Sequence, residues 1–234
     1  MKLYAEYHYL PSGEETLGNN PNQTIRLSND QGSLVGMQYG LWGFGDQSHV
    51  NVFARFATGL AAYDELAAAQ AINRDRRTVD AYEARLALSA NFQSEDVSMM
   101  LGGYGRIFND GDVNTEDFDD RQELSMVLRP MLRLGAFTPA LEGSVQISRT
   151  NGLNPRTGEQ ALAQVFQIAA LPGFTFAQTP GAYSRPRIHG VIAVSLLNPT
   201  ALSYYAEADP RSRADTVWFF GASAEWWFGR GGRY

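Results

Sequence analysis

The chain has 234 residues, no cysteine and a net charge of −6 from 19 basic and 25 acidic side chains. These numbers exclude a disulfide framework, a thiolate metal site and a cysteine nucleophile, and an acidic chain with a pI near 5.1 lacks the basic stripe of a nucleic-acid binder. No uncharged apolar run reaches the ~18 residues of a membrane-spanning helix, yet 44% apolar and only 19% charged residues are unusual for a soluble globule, where charged residues make up roughly a quarter.

The first element begins at once. Leu3, Ala5, Tyr7 and Tyr9 alternate with Tyr4, Glu6 and His8, and a period of two predicts a strand. The opening lacks the apolar core and small-residue cleavage site of a signal peptide, so the chain reads as mature, trimmed or a fragment. Further strands are predicted at 33–43, 48–60, 81–92, 97–107, 121–134, 137–148, 161–170, 185–197 and 215–228. The clearest have one apolar and one polar face. Over 81–92, Tyr82, Ala84, Leu86 and Leu88 oppose Glu83, Arg85 and Ser89. Over 121–134, Leu124, Met126 and Leu128 oppose Glu123, Arg129 and Arg133, and over 185–197, Ile188, Ile192 and Val194 oppose Arg185, Arg187 and His189. In 215–228, Trp218, Phe220 and Trp226 oppose Ser223, Glu225 and Trp227. Two segments, 97–107 and 161–170, leave their facing open.

Each segment has about the length of a tilted membrane-crossing strand. The connections alternate long and short, with 171–184 as the exception. Such sorting predicts an all-β, antiparallel up-and-down transmembrane β-barrel with short periplasmic turns and long external loops. Arginines and glutamates on one face suit a wet lumen, and the apolar face suits lipid. A soluble barrel or sandwich with the faces reversed is the competing reading.

Other signals carry less. Residues 61–76 have helix propensity and read as a short helix in an external loop. Asp110, Asp112, Asn114, Glu116 and Asp117 suggest a calcium loop, but Thr115 and Arg121 stand where an EF-hand needs Gly and Glu, so a solvated acidic loop is expected. His8, His49 and His189 lie on separate strands with no ligand at metal spacing. No cofactor is expected, and no nucleophile–base pattern points to an enzyme.

Four stretches resemble maltoporin-type carbohydrate porins. They are Tyr183-Ser184-Arg185-Pro186-Arg187-Ile188, the closing run from Trp218 to Phe228, Ser98-Met99-Met100 followed by Gly103-Tyr104, and Leu128-Arg129-Pro130-Met131. Their order matches over 81–228, whereas the upstream third matches by pattern alone. The resemblance implies a trimeric outer-membrane barrel of about eighteen strands, within the range such barrels show. The ten segments then stand for its last ten strands, and residues 1–234 form one porin domain lacking front strands and signal peptide. It implies facilitated diffusion of maltodextrin-like oligosaccharides, with a general diffusion porin or a structural or enzymatic barrel as alternatives. The family passes sugars along an aromatic slide and a charged track. Carried over, the slide falls on Tyr183 and Trp227, with Tyr in place of Trp at 183. The facing residues Arg85, Arg129, Arg133, Arg185, Arg187, Glu123 and Glu225 become lumen lining, with Glu83 and Glu142 as further counter-charges. The implied partners are the sugar, outer-membrane lipid and two further copies. Six residues follow the aromatic Phe228, ending in Tyr234, where such barrels commonly end on an aromatic.

Overall fold

A computed structural model describes residues 1–16, 24–45, 47–63, 77–112, 120–154, 156–176 and 184–226. The strands are β1 (Lys2–Leu10), β2 (Gly13–Thr16), β3 (Thr24–Leu27), β4 (Asp30–Trp42), β5 (His49–Gly59), β6 (Tyr82–Gln93), β7 (Val97–Asn109), β8 (Arg121–Leu132), β9 (Ala140–Thr150), β10 (Ala163–Leu171), β11 (Gly173–Thr175), β12 (Arg187–Leu197) and β13 (Thr216–Glu225). One short helix, α1 (Pro199–Ser203), lies between the last two strands. All ten predicted segments form strands. The hairpin of β2 and β3 was not predicted; it pairs with itself, apart from the main sheet.

The main sheet is a meander in which each long strand pairs antiparallel with the next, from β1 through β4 to β10, then β12 and β13. Backbone groups are paired between neighbouring strands, the arrangement a membrane-crossing sheet requires. Among the described residues, β1 pairs only with β4, and β13 only with β12.

Register fixes the two faces, because directly paired residues point the same way. Arg55 pairs Arg85, which pairs Arg106, which pairs Glu123, which pairs Ser148. This row defines a polar face, and both open segments now take sides. Ser98, Met100, Tyr104 and Arg106 of β7 share the polar face, as do Val165 and Gln167 of β10. The opposite face is apolar and bare to the surroundings: Leu86 is 59% exposed, Trp218 59% and Phe220 69%. Along β5–β13 that face carries one charged residue among the described strands, Arg149. The described residues form no single central core. Buried apolar clusters are small and lie near the strand ends, such as Met131, Ala140, Ala169, Leu171 and Ala193.

The exceptional long connection has a structural explanation. Ala170 pairs Ile192 and Gly173 pairs His189, which is one unbroken register. β10 and β11 are therefore a single strand interrupted at Pro172, which lacks the N–H the ladder needs. The strand runs five residues beyond the predicted end at 170, and Thr138 and Thr175 tie it to the neighbouring turn through backbone bonds to Gly173 and Ala136. That turn is tight, as predicted at 135–136. Leu134 bridges Phe137 around Gly135 at φ 67°, a positive φ that glycine adopts without cost at the first position of a hairpin turn.

Other boundaries shift. Arg185 and Pro186 precede β12 rather than opening it, and β13 ends at Glu225, before Trp226. Of the predicted helix over 61–76, Leu60–Ala62 form a single 3-10 turn, and 64–76 lie outside the described residues. α1 was not anticipated in the connection 198–214. Its start is conventional: Asn198 accepts from the Ala201 N–H, and Pro199 opens the first turn.

Candidate functional site

On the polar face, near the end with the long connections, four arginines and two glutamates meet. Glu83 is fully buried and accepts from three guanidinium groups: Arg55 Nε at 2.8 Å, Arg85 Nη2 at 2.9 Å and Arg106 Nε at 2.6 Å. Glu123 lies 3.5 Å from Arg106 Nη1 and 3.4 Å from Arg121 Nε. Register explains the need for Glu83. Arg55, Arg85 and Arg106 stand opposite one another across three strands, and like charges so placed repel. A carboxylate two residues along β6, on the same face, reaches all three.

Beside this network a cavity of ≈ 600 Å³ opens between the polar face and α1. Its wall includes Glu123, Ser125, Gln146 and Ser148, and its far side includes Tyr204 and Tyr205 from the segment after α1. The segment is held inward. Ala201 is buried against Ala163 and Leu197, with Leu202 and Tyr205 alongside. The Arg211 guanidinium lies 4.7 Å from the Tyr205 ring centre, and Arg156 donates to the Tyr205 carbonyl. Aromatic faces opposite hydroxyl, amide and carboxylate groups suit a solute with an apolar face and a polar rim.

A second ionic group sits near the short-turn end. Arg129 donates to Glu142 at 2.6 Å through Nε. Arg185 pairs with Glu225, which lies 3.9 Å from His189 Nδ1. Arg187 is buried and donates to the Thr138 carbonyl at 3.3 Å. Arg133, half-buried, follows β8, and its N–H bonds the Asp96 carbonyl at 2.8 Å.

The structure thus divides the predicted residues. Arg85 and Glu123 meet in the first network; Arg129, Arg185, Arg187 and Glu225 gather in the second with Glu142; Arg133 stands at its margin. Tyr183 and Trp227 lie outside the described residues. The solvated-loop reading is corrected at one residue, while Asn114, Glu116 and Asp117 lie outside the described residues. Asp110 is not solvated: it is 1% exposed, its N–H bonds Asp120 Oδ1 at 2.8 Å and its own Oδ1 accepts from the Asp112 N–H. Burial, together with the Asp120 and Asp112 charges, pushes its carboxyl up to about 7, against the pull of the Asp112 N–H. His8 and His189 also have carboxylate neighbours, Glu6 at 3.1 Å and Glu225. No group of three or more possible metal ligands occurs among the described residues.

Several aromatics on the polar face escaped the sequence reading. The Tyr4 ring lies over Gly36, where a Cβ would fall 2.1 Å from it, and the Trp42 ring lies over Gly40, where a Cβ would fall 1.9 Å from it. Both rings come this close to the wall because glycine carries no Cβ there. The readable signal was glycine on the polar face beside an aromatic, Tyr4 across the ladder and Trp42 two residues on. Tyr204 and Tyr205 had no such signal, since their placement depends on how a long connection folds.

The family model described as LamB porin matches residues 1–228. A search of curated proteins gives no match. Porins of this kind are channels rather than enzymes, and the meander, with one wet charged face and one bare apolar face, has the build of such a wall. The chain belongs to the LamB porin family, bacterial outer-membrane β-barrel channels for sugars.

Proposed function

We propose that this chain forms the wall of a channel for maltodextrin-like oligosaccharides, passed by facilitated diffusion. The observation that carries this reading is the ≈ 600 Å³ cavity in which Tyr204 and Tyr205 face Glu123, Gln146 and Ser148. Sugar rings stack their apolar faces on aromatics, and charged or amide partners bond their hydroxyls. Several weak sites in sequence let a solute enter and leave. Tyr4 and Trp42 extend the aromatic surface along the wall, and Tyr183 and Trp227 supply the stacking positions implied by the family likeness. Arg85, Glu123, Arg129, Arg133, Arg185, Arg187 and Glu225 form the polar lining. Residues 1–234 form a single porin β-barrel domain, and the functional unit is a homotrimer.

Liposome swelling with the full protein and a maltodextrin series tests this. The expected result is a rate that saturates with sugar concentration and discriminates among chains of equal width. A simple size cut-off without saturation points instead to a general diffusion porin and overturns the reading.

A further inference from the structure

The wall strands are more basic than the chain. On the polar face of β5–β13, the described strands carry six arginines against four glutamates, although the whole chain has a net charge of −6. The acidic excess therefore lies off this face, largely in the connections. The basic excess is concentrated. Arg85, Arg106 and Arg121 with Tyr104 and Glu123 line a pocket of ≈ 380 Å³, which shares Tyr104, Arg121 and Glu123 with the larger cavity beside α1.

Glu123 in the pocket and Glu83 beneath it do not cancel the cations. Glu83 lies beneath the wall surface with no exposure and is already shared by three guanidinium groups. Glu123 is shared by Arg106 and Arg121. Arg121 is the most open arginine of the network, with its side chain 37% exposed. Its Nε is buried and makes no hydrogen bond, since the 3.4 Å approach to Glu123 is an ionic contact without hydrogen-bond geometry. Arg121 lines both this pocket and the larger cavity, and a guanidinium binds planar oxyanions in fork geometry. Tyr104 at the pocket and Tyr204 and Tyr205 beyond it supply ring contacts for the rest of a sugar.

We propose that this arginine pocket receives the acidic group of an anionic saccharide, a ring bearing a carboxylate or a phosphate, so that the channel takes acidic saccharides besides neutral maltodextrins and holds a sugar acid more tightly than the neutral sugar of the same size. The proposal rests on the sugar-channel reading and names its substrate class. Charged side chains lining a pore select by charge, with arginine and lysine serving anions and phosphates.

The test uses the full protein in planar bilayers under a potassium chloride gradient, with maltohexaose, glucose, glucuronate and glucose 6-phosphate as blockers. The expected channel prefers chloride to potassium, and the acidic sugars reduce its current at about tenfold lower concentration than glucose does. Arg121→Gln lowers both preferences about threefold or more. It leaves Glu83 and its three partners intact, so it keeps the wall folded; Arg85→Gln repeats the test at a second position. Block by glucuronate without block by glucose 6-phosphate assigns the pocket to carboxylates, and the reverse assigns it to phosphates. A channel blocked by glucose and the acidic sugars equally overturns the proposal and leaves the sugar channel standing. So does a preference unchanged in both variants. No block by any sugar overturns the sugar-channel reading, and this proposal with it.

Discussion

Arg106 of β7 donates through Nε to Glu83 of β6 at 2.6 Å, and the carboxylate that receives it has no exposure to solvent. The same carboxylate accepts from Arg55 and Arg85. Three strands carry guanidinium groups in one register row, and one buried anion makes that row tolerable. The arrangement ties β5, β6 and β7 together on the polar face of the sheet. It also leaves positive charge at the wall, because Glu83 and Glu123 offset only two of the four cations Arg55, Arg85, Arg106 and Arg121.

Glu83→Gln therefore destabilises the wall. The amide keeps the shape but leaves three guanidinium groups without their shared anion, and loss of one partner from a buried ionic cluster costs about 3–5 kcal/mol. Urea unfolding in detergent, followed by tryptophan emission, measures it. A change below about 1 kcal/mol, the scale of an exposed ion pair, contradicts the central place given to Glu83.

Gly40→Ala displaces the Trp42 ring. The new Cβ would lie 1.9 Å from the ring, so the indole leaves the wall and moves further into water. Its emission becomes more accessible to iodide, read by quenching of protein in bilayers. Gly143→Ala, where nothing lies within 4 Å of a built Cβ, is the control and leaves quenching unchanged. Equal quenching in both variants and the parent contradicts the packing of Trp42 on Gly40.

Asp110 gives the fold a pH dependence of definite sign. Its carboxyl is raised from 3.8 to about 7, first by burial. Between those values the folded chain holds a proton that the unfolded chain has released. Stability therefore falls as pH rises through that window, by at most about 1.4 kcal/mol per unit for one group. Above the window the loss is complete. Asp110→Asn flattens this part of the profile and raises stability near pH 8 relative to the parent. Denaturant midpoints across the window measure it, and parallel profiles contradict the assignment.

The strands were legible because their facing is local. Alternation of Leu124, Met126 and Leu128 with Glu123, Ser125 and Arg129 reports which side is wet, whatever the neighbours are. It failed at β7, where Gly102-Gly103 and Met99-Met100 give both faces similar residues, and the ladders had to decide. Pro172 concealed the continuation of β10 into β11, since a proline reads as a break whether or not the register resumes after it. The polar lining was legible as charges on one face, but its grouping was not. That Glu83 reaches Arg55 and Arg106 follows from pairing register, which alternation within one strand does not encode. Tyr204 and Tyr205 depended on the fold of a long connection, and Asp110 on its burial against Asp120, a residue ten positions away.

The central claim is that one register face of this sheet lines water and the other meets lipid. The chain has no cysteine, so single cysteines report without background. Placed in turn at Leu124, Ser125, Met126 and Val127 of β8, and at Ser144, Val145 and Gln146 of β9, they are labelled with a charged, water-soluble thiol reagent in bilayers. The account predicts rapid labelling at 125, 127, 144 and 146 and protection at 124, 126 and 145. Uniform labelling, or protection at the first set with labelling at the second, contradicts it.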